Sequence, residues 1–222
     1  MTWFFKFMNS SIGKKILMAL TGFLLCGFLI THLLGNLLLF VGEEAFNDYV
    51  YNLKSLGFLL KVAELGLAGL FLAHIVNGIK LSLENKDSKF IENDINDAAA
   101  NSTVASRTMP YTGGIILIFL ILHLYHFWFR FNVVETGMTY YQIVLSSEYG
   151  FGNPILSGFY IICMGLLAFH LRHGFQSAFR SLGFNNQKYI PFIEMVGVFF
   201  WLIIPVGFAS IPFYFGFIAG GN

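Results

Sequence analysis

The chain has 222 residues, of which 56% are hydrophobic and only 11% charged, against about 25% charged in soluble domains. That balance excludes an ordinary soluble domain and indicates an integral membrane protein. A formal net charge of +1 excludes a strongly basic nucleic-acid binder, and no glycine-rich phosphate loop or dinucleotide fingerprint is present.

In chain order, the N-terminal MTWFFKFMNSSIGKK puts its apolar part before its charges and leads into a run long enough to span. It therefore reads as the approach to a retained first span rather than a cleavable signal peptide. Crossing a hydrocarbon core of about 30 Å takes roughly 20 helical residues. Five stretches qualify: 16–41, 56–83, 110–131, 154–182 and 191–218. Their length and lack of period-two alternation predict helices rather than strands. The expected fold is all-α, a single domain over 1–222 built as an integral membrane bundle of five transmembrane helices.

Prolines mark the starts. Pro110, Pro154 and Pro191 each fall near an expected first turn, where a missing N–H costs little. Pro205 and Pro212 predict kinks or an early frayed end in the last span. Between spans, 42–55 reads as a short polar connection and 132–153 as an interfacial one. The segment 84–109 reads as a solvated surface, and 185–188 as a tight turn. Aromatics cluster near span ends, at Trp3, Phe4 and Phe5, at Phe127, Trp128 and Phe129, and at Tyr140 and Tyr141, as in interfacial belts. Cys26 and Cys163 lie inside apolar runs and read as packing residues.

Orientation follows from the basic residues. With the N-terminus cytoplasmic, the inner side holds Lys6, Lys14, Lys15, Lys80, Lys86, Lys89, Arg107, Arg172, Arg180 and Lys188, and the outer side Lys54, Lys61 and Arg130. The positive-inside rule selects N-terminus cytoplasmic and C-terminus outside.

The histidines carry the functional signal. All of them, His32, His74, His123, His126, His170 and His173, lie in or at the edge of spans. A lone intramembrane histidine is most simply a hydrogen-bonding partner for a neighbouring helix. Four spans each supplying one, with no matching network of buried acids or lysines, point to a shared task. The spans alternate in direction, so His32 and His123 fall toward the outer side and His74 and His170 toward the inner side. Two layers result, each with two imidazoles from different helices. That is the ligand set of a six-coordinate haem iron, twice over. Zinc or copper would need three or four ligands in one layer.

A macrocycle needs a groove and partners for its propionates. Four residues beyond His32, His74 and His170 stand Asn36, Gly78 and Gly174, on the same helical face. His123 is followed instead by Phe127, and Gly113 and Gly114 lie too far from it to compensate. Glycine also serves ordinary helix packing in membranes. Arg172 and His173, with Arg180 further along, can meet propionates on the inner side, and His126 and Arg130 on the outer side. The arginines can equally snorkel to lipid phosphates. His126 and His173 are each three residues from an expected ligand; the deeper His123 and His170 are preferred.

The segments SSIGKKILMALTGFLL, THLLGN, TGGIILIFLILHLYHFW and GFYIICMGLLAFHLRHGFQSAFRSLGFNN resemble the single-chain, five-helix cytochrome b subunit. That subunit anchors succinate dehydrogenases and quinol:fumarate reductases in the membrane. The resemblance runs over essentially the whole chain, with the HLRHG and trailing SLG most specific. It implies two haems b, an inner one held by His74 and His170 and an outer one by His32 and His123. It implies a flavoprotein and an iron–sulfur subunit on the cytoplasmic face of a bacterial inner membrane, and a quinone substrate, usually menaquinone. Quinone reduction needs proton donors beside the ring. Glu43, Glu44, Asp48 and Glu64 stand toward the outer side, with Glu44 and Glu64 the candidates. The plainer role for Glu64 is an ion pair with Lys61 on the same face. Two rivals remain open: another two-haem membrane oxidoreductase that needs no large partner, and a histidine-containing transporter or scaffold without haem.

Overall fold

The computed structural model describes residues 2–87, 104–184 and 186–219, and among them the chain is helical with no strand. Most of the expected solvated segment, with Lys89, and Asn185 of the last turn lie outside the described residues. A short α1 (Thr2–Asn9) precedes α2 (Ser11–Leu37), which tightens into a last turn at Leu38–Phe40. Across the far end runs α3 (Glu43–Ser55), followed by α4 (Phe58–Asp87). Next, α5 (Val104–His123) continues through a wide π turn, Leu124–Phe129, to Asn132. A short α6 (Tyr140–Leu145) and the long α7 (Pro154–Ser181) come next. The final span begins as α8 (Ile190–Val198), widens at Phe199–Ile203, resumes as α9 (Ile204–Phe213) and widens again at Tyr214–Ile218.

Five of these units, Ser11–Phe40, Phe58–Glu84, Arg107–Asn132, Pro154–Ser181 and Ile190–Ile218, are long and apolar enough to cross a membrane. Large apolar side chains on their outward faces are exposed, among them Leu24, Leu65, Ile118, Ile162 and Val206. Such faces suit hydrocarbon as solvent, where helices satisfy their own backbone groups.

Several boundaries depart from the sequence expectation. The first span begins at Ser11 rather than residue 16. Ser10 caps it, its hydroxyl accepting from the Gly13 N–H at 3.1 Å, and the mostly buried Lys14 ammonium is neutralised by Glu84 of α4. Pro110 is not at a first turn but inside α5. The helix starts earlier and tolerates one missing N–H, and the Thr112 hydroxyl bonds the Thr108 and Met109 carbonyls in that same turn. The last span does not fray at its prolines. The Ile204 N–H reaches back to the Phe199 carbonyl across the wider turn, so Pro205, lacking an N–H, sits where α9 restarts.

The connection 42–55, expected as a polar loop, is helix α3. Glu43 and Glu44 occupy its first turn and Lys54 its last, each complementing the helix dipole, while Phe46, Asn47 and Val50 are buried. Helices α3 and α6 pack together and cap the far end of the bundle. Asn47 Oδ1 accepts from the Tyr141 N–H at 3.0 Å, and Thr139 donates to Glu43 at 2.6 Å. Thr139 and Gln142 close a capping box at the start of α6.

Helices α2, α4, α5 and α7 form a four-membered ring. The largest contacts run α4 to α2, α2 to α7 and α7 to α5, with a lighter α5 to α4 contact closing it. The last span lies outside the ring against α7 and α2. One apolar cluster fills the far end around Leu39, Phe127, Tyr160 and Phe215. A second fills the N-terminal end around Cys26, Leu171, Phe175 and Ile193.

Candidate cofactor site in two histidine pairs

Each helix of the ring contributes one histidine, and the four meet in two pairs drawn from opposite corners. His32 of α2 faces His123 of α5 with ring centres 5.7 Å apart and planes at 88°. His74 of α4 faces His170 of α7 at 6.4 Å and 66°. Two imidazoles binding one metal ion from opposite sides, each at about 2.0–2.1 Å, have ring centres about 6 Å apart. Both separations lie close to that figure. Thr21, beside His74, and His32 are eleven residues apart on α2, which is about 16 Å of helix. The two pairs are therefore stacked along the bundle, one in each half.

The N-terminal pair is held by small and polar groups. Thr21 Oγ1 lies 3.1 Å from His74 Nδ1 and 2.8 Å from the Leu17 carbonyl. With the hydroxyl proton on the Leu17 carbonyl, the threonine oxygen is left to accept from the imidazole Nδ1–H. His74 then carries its lone pair on Nε2, the form a metal takes up. Two glycines give the rings room from neighbouring helices. A Cβ at Gly22 of α2 would stand 3.7 Å from His74 Cε1, and one at Gly113 of α5 would stand 3.5 Å from His170 Cε1.

The far pair is walled by aromatics. Phe28 stacks on His32 at 5.1 Å and Phe208 tilts over it at 5.5 Å. Phe119 stacks on His123 at 5.7 Å, with Phe127 at 5.4 Å. Asn36 Nδ2 donates to the His32 carbonyl at 2.7 Å and lies 3.4 Å from its Nδ1. In both pairs the second histidine keeps a buried ring nitrogen without a partner: Nδ1 of His123 and Nδ1 of His170. Buried polar atoms left bare in this way call for an explanation. The donor set and the room beside it fit a metal held by two imidazoles. Among the described residues, no three His, Cys, Asp or Glu side chains gather to hold an ion by themselves.

Comparison with protein-family models, with curated proteins and with solved structures returns no match.

Other expected site residues fall around the pairs. His126 directs its Nδ1 to the buried Tyr160 hydroxyl, 3.3 Å away, rather than to a histidine ring across the bundle. The π turn that starts at Leu124 explains this, because one extra residue per turn rotates the later side chains around the helix axis. His173 is half-buried one turn beyond His170, and Arg172 is exposed, its guanidinium 5.2 Å from the Trp201 ring centre. Arg180 lines a small recess with Gln176 and Glu194. Arg130 lies over Tyr149 at 3.6 Å. Gly78 and Gly174, expected beside the rings, face methionine methyls instead: an added Cβ would stand 3.3 Å from that of Met18 and 3.8 Å from that of Met109. Glu64 pairs with Lys61 at 2.8 Å. Glu44 and Asp48 are exposed on α3, and Glu43 accepts from Thr139.

Thr21, Gly22 and Gly113 were not singled out from the sequence as neighbours of the His74–His170 pair. Thr21 had a readable signal: eleven residues before His32 is close to three full turns, so both lie on one stripe of α2.

Proposed function

We propose that this chain is the two-haem cytochrome b membrane anchor of a succinate:quinone oxidoreductase, working as succinate dehydrogenase or fumarate reductase. The observation that carries the reading is the pair of cross-bundle histidine contacts at 5.7 and 6.4 Å. His32 with His123, and His74 with His170, would each hold one haem b iron. Haem b supplies one-electron redox chemistry when bound. The chain's own residues orient the ligands through Thr21 and Asn36, clear space with Gly22 and Gly113, and keep water from the far pair with aromatic rings. His173 and Arg172 at one edge, and His126 at the other, are donors suited to propionates.

The distribution of lysine and arginine supports a cytoplasmic N-terminus. In that orientation the His74–His170 pair belongs to the inner half, on the side where a flavoprotein and an iron–sulfur subunit would dock. The other pair would face the outer half of a bacterial cytoplasmic membrane, where a quinone, menaquinone in the family resembled, would exchange electrons. Moving two electrons from the inside to the outside gains roughly 4.6 kcal/mol per 100 mV of membrane potential. That gain favours reduction of a low-potential quinone by succinate and opposes the reverse flow.

The visible spectrum of membranes holding the chain, oxidised and reduced, tests the proposal. Bis-histidine haem bands at two haems per chain are expected, together with copurification of a flavoprotein and an iron–sulfur protein. Absence of haem bands would overturn it, and haem without those partners would leave a different two-haem cytochrome b.

A further inference from the structure

At the far end of the bundle lies an open cleft of about 570 Å³, within the roughly 300–1,000 Å³ of small-molecule sites. Its walls come from α3, from the end of the α5 span, from the turn at 134–138 and from α6. Three aromatic rings line it, with Tyr140 in contact with the other two. Tyr51 meets Tyr140 edge-on at 5.2 Å, and Phe131 meets Tyr140 at 4.9 Å. Behind them Lys54 rests 4.7 Å over the Tyr140 ring and donates to the Phe131 carbonyl at 2.6 Å, fixing the wall.

Arg130 also lines the cleft. Its guanidinium is stacked 3.6 Å from the Tyr149 ring centre, and its Nε is buried without a hydrogen-bond partner. A guanidinium held by a ring face has its in-plane donors free for an oxygen. Arg130 follows His123 by seven residues, or about 10 Å along the helix. Glu135 lines the same cleft. One cation and one carboxylate leave it without net charge, which suits a neutral ligand better than a phosphate headgroup.

We infer that this cleft receives the ring of a quinone, with its face against Tyr51 and Tyr140 and one ring oxygen toward Arg130. The inference rests on the function proposed above and moves the quinone site away from Glu44 and Glu64. Glu64 is already paired with Lys61, and neither residue lines this cleft. The ring takes up two electrons and two protons to become the quinol. The electrons come from succinate, which loses two electrons and two protons to become fumarate at the flavoprotein partner. Glu135, the carboxylate that lines the cleft, relays the two protons from the surrounding solvent.

Succinate-driven reduction of a short-chain menaquinone analogue is the assay, in membranes holding the whole complex. Haem content is read in the same samples. Tyr51→Leu and Tyr140→Leu should each raise the KM for the analogue about tenfold, the worth of one aromatic contact, with both haems retained. Arg130→Gln should do the same, and Arg130→Lys should recover only part of the loss. An unchanged KM in the two tyrosine variants, or a raised KM in Glu64→Gln alone, overturns the cleft. So does loss of a haem from Arg130→Gln with KM unchanged in the tyrosine variants, since Arg130 would then serve the haem. If the parent membranes show neither haem bands nor quinone reduction, the proposed function and this inference fall together. If the parent is active with two haems, only the cleft is at stake.

Discussion

Thr21 Oγ1 stands 3.1 Å from His74 Nδ1, and its own proton is committed to the Leu17 carbonyl. With the proton so placed, the threonine oxygen holds the imidazole by its Nδ1 and leaves Nε2 free. A partner of this kind raises ligand basicity, and its removal costs about tenfold or more in metal affinity. Thr21→Val should shed haem from the N-terminal pair on detergent washing, while Thr21→Ser retains it. Equal haem retention in both would remove the orienting role.

The pairing across the ring makes a sharper prediction. His32→Ala and His123→Ala should abolish the same spectral component, and His74→Ala and His170→Ala the other. Each double variant within a pair should match its singles and keep one haem per chain. A single histidine variant that loses both components, in protein that still folds, would contradict two separate sites.

Gly113 is a test of space. A Cβ there would be in ordinary contact with His170 Cε1 at 3.5 Å, so Gly113→Ala should keep both haems. The branched side chain of Gly113→Leu must enter the ring's place. It should remove the His74–His170 component and leave the other, as read from reduced-minus-oxidised spectra.

His126 is separated from its neighbour by the π turn. His126→Phe should retain two haems, because its imidazole faces Tyr160 and not the His32 ring. Loss of the far-pair component in that variant, with His123 intact, would make His126 a ligand.

Asn77 gives a stability prediction independent of any cofactor. Its buried amide donates to the Lys14 carbonyl at 2.6 Å, joining α4 to α2. Asn77→Leu should destabilise by about 1 kcal/mol. Thermal unfolding in detergent measures it, and an unchanged midpoint would mean that the bond contributes nothing net.

Sequence reading went furthest where residue type and periodicity coincide. The five apolar runs and the grouping of His32 with His123 and His74 with His170 follow from length, alternation of direction and depth, all visible in the string of residues. The helices α1, α3 and α6 were not visible as such, because they are short and their helical state depends on what they pack against. Asn47, for example, is an unremarkable polar residue until it meets the backbone of Tyr141. Gly113 is the instructive case. Measured along its own helix it stands too far from His123, and only the packing of α5 on α7 brings it to His170. Arg130 likewise read as a partner for a propionate or a lipid phosphate, whereas the ring of Tyr149, which neither spacing nor composition foretells, holds its guanidinium.

One consequence concerns assembly. Helix α2 carries Thr21 and Gly22 against one pair and His32 in the other, on a single unbroken rod. Seating a group between His74 and His170 fixes the axial rotation of that rod through Thr21. The same rotation presents His32 to His123 about 16 Å away. The two pairs thus share one helix while keeping separate ligand sets: a turn or tilt of α2 would disturb both at once, whereas loss of one histidine disturbs only its own pair.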